Sequence, residues 1–267
     1  LIIMPQRYKA TIAYDGTPYV GFQVQPNGPS IQAALEKALK LMTKGQEIPV
    51  YGSGRTDSGV HALGQVVHFD YPSEIETEGL LRALNSILDD AICVKTVEPV
   101  EKHFHARYHA QRKAYLYKVS LAPFISPFDR HYVLHHPYRT DVSRIQAALP
   151  ALIGTHNFKS FCSTKTDKTV FDREIYRAEC QASEDGQTLT FYFEGNGFLY
   201  NMVRIIVGTC LQIGDGLRPV ENLSDLLRIQ DRNAAGPTAK AHGLYLHHVD
   251  YPSRAERIAK SEANGFY

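Results

Sequence analysis

Close cysteine pairs are missing from this chain. Cys93, Cys162, Cys180 and Cys210 are scattered through 267 residues with no CxxC spacing. That argues against a zinc site or a disulfide framework and for a reducing, cytoplasmic setting. Long apolar runs are missing too: none approaches the roughly 20 residues that cross a bilayer, so no membrane role is expected. The first residues lack the basic n-region and long apolar stretch of a secretory signal. Met4 reads as a natural start, with residues 1–3 foreign to it. A surplus of charge is also absent, since 29 Lys and Arg face 28 Asp and Glu for a net +1.

What is present is the composition of a globular protein, 43% hydrophobic and 21% charged, with room for one large or two ordinary domains. The charge is unevenly spread. Residues 1–110 sum to −2, residues 111–180 to +5 and residues 181–267 to −2. A basic middle between mildly acidic flanks fits a local phosphate-binding face, as it fits an unevenly charged solvated surface.

Periodicity sets the organisation. Tyr8, Ala10, Ile12 and Tyr14 alternate as in a strand that ends at Asp15-Gly16. Ser30 caps a helix whose apolar residues run Ile31, Ala34, Leu35, Ala38, Leu39, Met42. A second helix starts after Thr77, and strands are expected over 91–97 and 113–121. The later half repeats the grammar: a strand at 131–135, a helix from Asp141 to about Leu152, and a hairpin of 175–182 and 188–194 about Glu184-Asp185-Gly186. A long helix over Phe198–Ile213, a short one near 220–229 and a last strand over 243–251 complete it. The elements imply an α+β chain of two related halves, each a largely antiparallel sheet with helices on one face. The expected domains are 1–108 and 109–267.

The most informative stretch is Gly54-Arg55-Thr56-Asp57-Ser58-Gly59-Val60-His61, a glycine-flanked loop between two expected strands. Its glycine spacing imitates a phosphate loop, but Val60-His61 stands where Lys-Ser/Thr is required. Gly52-Ser53-Gly54 is one residue short of a nucleophile elbow. Asp57 and His61 lack the further ligands of a metal site. These failures weigh against nucleotide-hydrolysing, serine-hydrolase and metal chemistry. An Arg and an Asp two residues apart remain.

Elsewhere, His103/His105 and His131/His135/His136 match no metal spacing; they suit an RNA-facing surface or a satisfied core. Phe104-His105-Ala106-Arg107-Tyr108 and Arg112-Lys113-Ala114-Tyr115-Leu116-Tyr117 mix rings with cations. Proteins that hold unstacked bases use that mixture, rings for the base and cations for the phosphate. Tyr117 also suits simple packing.

Seven blocks in order give the chain a relation. Gly54–His61 resembles the GRTDxGVHA signature of the tRNA pseudouridine synthase A family. Tyr14-Asp15-Gly16 with Gly21-Phe22-Gln23-Val24-Gln25 resembles its YDG…GWQxQ opening, and Ala83-Leu84-Asn85 its ALN motif. Phe104–Arg107 resembles FHAR, Gly154–Cys162 GxHDFxxFC, Phe198–Arg204 FLxxMVR, and Ala235–Ala239 with Gly243-Leu244 AGPTAxxxGL. Phe22 replaces a usual Trp, Val24 a frequent Arg, Asn157 a common Asp, and Asp89 a usual Pro.

The resemblance implies a pseudouridine-synthase-type fold with a central cleft. It also implies isomerisation of uridine at positions 38, 39 and 40 of the tRNA anticodon stem-loop, by base flipping and without metal or organic cofactor. Asp57 would be the catalytic carboxylate. Tyr115, Arg55 and Arg204 would bind the substrate uridine. Phe104, His105, Arg107, Tyr108, Arg112, Lys113, Lys165 and Lys168 would contact the anticodon arm and body of tRNA, and a homodimer would place one tRNA on both subunits. A non-catalytic RNA-binding protein could keep the rings and cations but would not need Asp57.

Overall fold

Alternating apolar residues make β1 (Gln6–Tyr14), in which Tyr8, Ala10, Ile12 and Tyr14 are all buried. The Ser30 hydroxyl accepts the Ala33 N–H and so starts α1 (Ile31–Met42). The chain then forms β2 (Tyr51–Gly52), β3 (His61–Tyr71), α2 (Thr77–Ile87) and β4 (Ile92–Val100). Leu35 and Leu39 of α1 and Leu84 of α2 meet Ala10, Ile12, Val67, Phe69 and Val94 on one face of the sheet. This apolar layer holds the first unit together, because each leucine leaves water only when both helices lie on that face.

β5 (Arg112–Ser120) and β6 (Leu134–His135) follow, then α3 (Val142–Ala148), β7 (Gly154–Asn157), β8 (Asp172–Ala182), β9 (Thr188–Gly195), α4 (Met202–Gly214) and α5 (Asn222–Ile229). β5, β9, β8 and β7 are antiparallel neighbours in that order, and β6 adds to β5 in parallel. Asp141 caps α3 by accepting the Ser143 N–H, and Pro150 carries the helix on as a 3-10 turn to Leu152. The last strand and helix are β10 (Leu244–Asp250) and α6 (Arg254–Ala263), the latter opened by a Ser253/Glu256 capping box.

The computed structural model describes residues 3–264, so the first two of the three residues before Met4 lie outside it. The chain forms two units, Leu1–Gln111 with Leu246–Tyr267, and Arg112–Tyr245. The returning C-terminal strand lies beside β3, in the order β4-β1-β3-β10, with β2 also on β3. The α+β class with largely antiparallel sheets is therefore as the periodicity implied. Among the described residues no helix is long and apolar enough to cross a membrane.

Two elements differ from expectation. The helix expected from Phe198 begins only at Met202, because Asn201 takes a left-handed φ of 62° and breaks the turn before it. The strand expected at 131–135 shrinks to Leu134–His135, since 127–133 are held in turns by Asp129 and Ser126 carbonyls.

Candidate active site

Asp57 opens a four-residue turn. The Val60 N–H donates to the Asp57 carbonyl at 3.0 Å, and Gly59 takes φ +82°, which a side chain there would strain. Beneath the turn lies a neutral polar network. The Thr56 hydroxyl is 2.7 Å from the Tyr14 hydroxyl, Gln65 donates to the Gly54 carbonyl at 3.0 Å, and Ser53 donates to Gln65 at 2.6 Å. Burial pushes the Tyr14 phenol up to about 12, against the opposing pull of its bonds to Thr56 and Gln65. It stays protonated and acts as a fixed prop.

A second loop clamps the first from the side. The Phe22 N–H donates to the Thr56 carbonyl at 3.1 Å, and the Gly16 N–H donates to Nδ1 of His61 at 2.9 Å. A Cβ on Gly16 would lie 2.0 Å from the Val60 carbonyl oxygen. The Tyr-Asp-Gly opening thus holds the turn through backbone contacts for which only glycine leaves space. His61 is spent on this clamp, its Nδ1 acting as acceptor. Asp57 is half-buried, and Arg55 is exposed with no ion pair or hydrogen bond for its guanidinium among the described residues.

In the second unit, Arg204 leaves the first turn of α4. Its Nε donates to the Ala239 carbonyl at 2.7 Å while its own carbonyl accepts the Ala239 N–H at 3.0 Å. Nη1 also donates to Asn201 at 3.3 Å. The Ala-Gly-Pro-Thr-Ala segment reaches Arg204 because Gly208 of α4 has no side chain; a Cβ there would lie 1.8 Å from the Pro237 oxygen. Tyr115 on β5 stands edge-on to Phe198, with ring centroids 5.0 Å apart.

These features leave a carboxylate and an uncommitted cation on one rigid loop, and an oriented arginine and a half-buried tyrosine on the second unit. The family model for tRNA pseudouridine synthase matches residues 10–109 and 148–252. The chain belongs to the tRNA pseudouridine synthase family. Proteins named tRNA pseudouridine synthase A are similar over nearly their whole length. The one from Latilactobacillus sakei is 51% identical over 251 residues, 93% of this chain and 100% of the relative. That from Ligilactobacillus salivarius is 48% identical over 256 residues, 96% and 100%. That from Geobacillus kaustophilus is 50% identical over 248 residues, 93% and 95%.

The other residues singled out for this tRNA pseudouridine synthase family member fall into two groups. Arg107, Tyr108, Lys165 and Lys168 are exposed, and His105 and Lys113 are half-buried. Phe104 is fully buried, its ring against His109, Tyr251 and the Arg257 guanidinium, which corrects its assignment as an RNA contact. Its ring is enclosed, so it holds the 104–109 turn in place. Arg112 donates to buried Glu194 at 2.7 Å and lies over Tyr176, so much of its charge answers an internal carboxylate. Tyr117 packs against Gly243 and donates to the Lys240 carbonyl. His135 meets the Ala122 carbonyl and His136 meets Asp215 at 2.9 Å, so both serve the fold.

Two supports were not anticipated. Tyr14 and Gln65 lie 42 or fewer residues from Thr56 or Gly54 and read as ordinary strand residues; only their polarity at buried strand positions signals a network. The Gly208–Pro237 contact has a signal only in the glycine itself, set in the middle of an apolar helix.

Proposed function

We propose that this chain isomerises uridine to pseudouridine at positions 38, 39 and 40 in the anticodon stem-loop of tRNA, with Asp57 as the reacting carboxylate. The reaction breaks the N1–C1′ bond, turns the base and joins C5 to C1′; the C5 proton leaves and N1 gains one. Atoms and electrons balance within the substrate, so neither cofactor nor metal is required by the chemistry. Asp57 serves whether it attacks the sugar or base or removes a sugar proton, and in each route it must be ionised. Arg204 is proposed as the cation that keeps it so.

The observation that carries this reading is the clamp on the Asp57 turn in a chain of this family. A turn whose Gly54, Thr56 and Asp57 backbone carbonyls are all held by hydrogen bonds presents the Asp57 side chain from a preorganised backbone. Arg55, with its uncommitted guanidinium, fills the space left by the flipped nucleotide or holds its phosphate, offsetting the few kcal/mol that flipping costs. Tyr115 stacks on the uracil, and its hydroxyl is available for proton transfer. Arg107, Lys113, Lys165 and Lys168 contact phosphates, helped by Arg112, and a homodimer presents these cations from both subunits to one tRNA in the cytoplasm. Such a pairing lets a chain of net charge +1 assemble a basic surface.

The test is tritium release from tRNA labelled at uridine C5. Wild type is expected to release tritium; Asp57→Ala and Asp57→Asn are expected to release none while still binding tRNA. Release from either variant would sink the carboxylate's role.

A further inference from the structure

Four rings in the first unit form a ladder that the isomerisation chemistry does not use. Tyr108 stacks on His105 with centroids 4.1 Å apart and planes 27° apart. His105 meets His68 edge-on at 4.6 Å, and His68 stacks on Tyr51 at 5.1 Å and 18°. The two middle rings are fixed. Nδ1 of His68 accepts the Ala106 N–H at 3.0 Å, and Nδ1 of His105 accepts the Arg107 and Tyr108 N–H groups at 3.1 and 3.3 Å. The two end rings are open: Tyr108 is 76% exposed and Tyr51 48%.

We infer that Tyr108 and Tyr51 are the open ends of a stacking surface for unpaired RNA bases, separate from the Asp57 turn. The inference rests on the chain's being a tRNA enzyme. A tyrosine with one face on a fixed ring and the other in water is a preordered platform, and any base can extend the stack because every base has a flat π-face. The surrounding charge suits a polyanion. Arg107 and Lys102 in the 101–109 segment are exposed, the Arg107 guanidinium has no ion pair or hydrogen bond among the described residues, and the segment's one acid, Glu101, is held by both ends of the Arg257 fork at 2.6 and 3.0 Å. The buried Phe104 below supplies rigidity, so an occupying base would not have to order the turn on arrival. The platform would bind a splayed, unpaired nucleotide of the substrate and leave paired regions to the phosphate contacts.

The chain contains no tryptophan, so Tyr108→Trp introduces a single tryptophan at the site, whose emission is excited apart from that of the tyrosines. Made together with Asp57→Asn, it is titrated with an RNA stem-loop bearing an unpaired loop and with a blunt RNA duplex of equal phosphate number. Saturable quenching by the stem-loop, without quenching by the duplex, is expected. Tyr108→Ala and Tyr51→Ala should each weaken stem-loop binding about 5- to 100-fold, as loss of one base stack does, and leave duplex binding unchanged. Tyr108→Phe should bind like wild type, because it keeps the ring. Quenching by both RNAs alike, no quenching, or equal weakening for both RNAs overturns the inference. These readouts stay separate from catalysis: persistent tritium release in Asp57→Asn would overturn the isomerase mechanism and leave the stacking result intact.

Discussion

Gly21 sits against Thr56 so closely that a Cβ on it would lie 2.7 Å from the Thr56 carbonyl oxygen, and its φ is +101°. Thr56 is the residue before Asp57, the proposed reacting carboxylate, and the same oxygen accepts the Phe22 N–H. The position of Asp57 is therefore set by two features of Gly21, its backbone conformation and its lack of a side chain.

Gly45 separates those two features. Its φ is +104°, and nothing lies within 4 Å of a Cβ built there. Gly45→Ala should cost about 1 kcal/mol, the strain of a left-handed alanine. Gly21→Ala should cost that plus roughly 1–3 kcal/mol for the forced shift, and should lower kcat as the turn moves. Urea melts and tritium-release rates on the two variants check this. Equal costs with unchanged kcat would show that the contact does not position Asp57.

Much of this arrangement was legible in the sequence, and the part that was not has a physical cause. Helix α1 and strand β1 follow from local periodicity and the Ser30 cap, because each buries one face against a neighbour. The octapeptide stood out because Arg, Asp and three small residues crowd one loop. The helix start at Met202 was hidden, since Phe198, Leu199 and Met202 keep helical spacing and the break lies in the backbone of Asn201 alone. Phe104 looked like a base-stacking ring, since pattern cannot tell an exposed aromatic from one enclosed by Tyr251 and Arg257 far along the chain. The return of β10 to the first unit is likewise a pairing over more than 170 residues, beyond the reach of any local signal.

Arg204 should not tolerate lysine. Nε donates to the Ala239 carbonyl at 2.7 Å and Nη1 donates to Asn201, so the guanidinium is aimed as well as charged. Lysine keeps the charge and loses the fork. Arg204→Lys should fold with a loss of about 1 kcal/mol, one hydrogen bond's worth. Its kcat should fall about tenfold or more with KM for tRNA little changed, since misplacing the cation proposed to keep Asp57 ionised costs rate before affinity. Single-turnover rates beside filter-binding affinities check this, and a wild-type kcat would remove Arg204 from the chemistry.

Acid should loosen the first unit through His68. Burial, followed by the nearby Arg7 and His105, lowers its pKa from 6.5 to about 3, and its Nδ1 must stay unprotonated to accept the Ala106 N–H. The unfolded chain takes up a proton below pH 6.5 that the folded chain refuses until about pH 3. Stability from this group is thus complete above about 6.5 and declines as pH falls toward 3, by at most about 1.4 kcal/mol per pH unit. His68→Asn retains an acceptor near the same place and cannot titrate. Denaturant melts from pH 7 to pH 5 should show a shallower decline in this variant, and an unchanged slope would mean that His68 protonates freely in the folded protein.

Arg107 and Arg112 look alike in sequence and should behave differently. Arg107 is exposed on the 104–109 turn, and its guanidinium answers no acid among the described residues, so Arg107→Ala should leave the melting curve unchanged. Its tRNA affinity should fall, and the slope of log Kd against log salt should drop by about one phosphate contact. Arg112 instead faces Glu194, a carboxylate 8% exposed that also accepts from Tyr192 and has Arg177 at 3.9 Å. Arg112→Ala should cost about 2 kcal/mol, since Arg177 and Tyr192 compensate only part of the lost charge. Adding Glu194→Gln to Arg112→Ala should restore most of that stability, because no buried charge is left to compensate. Should Arg112→Ala melt like wild type and shift only the salt slope, the Glu194 pair is incidental and the Arg112 charge acts on phosphate alone.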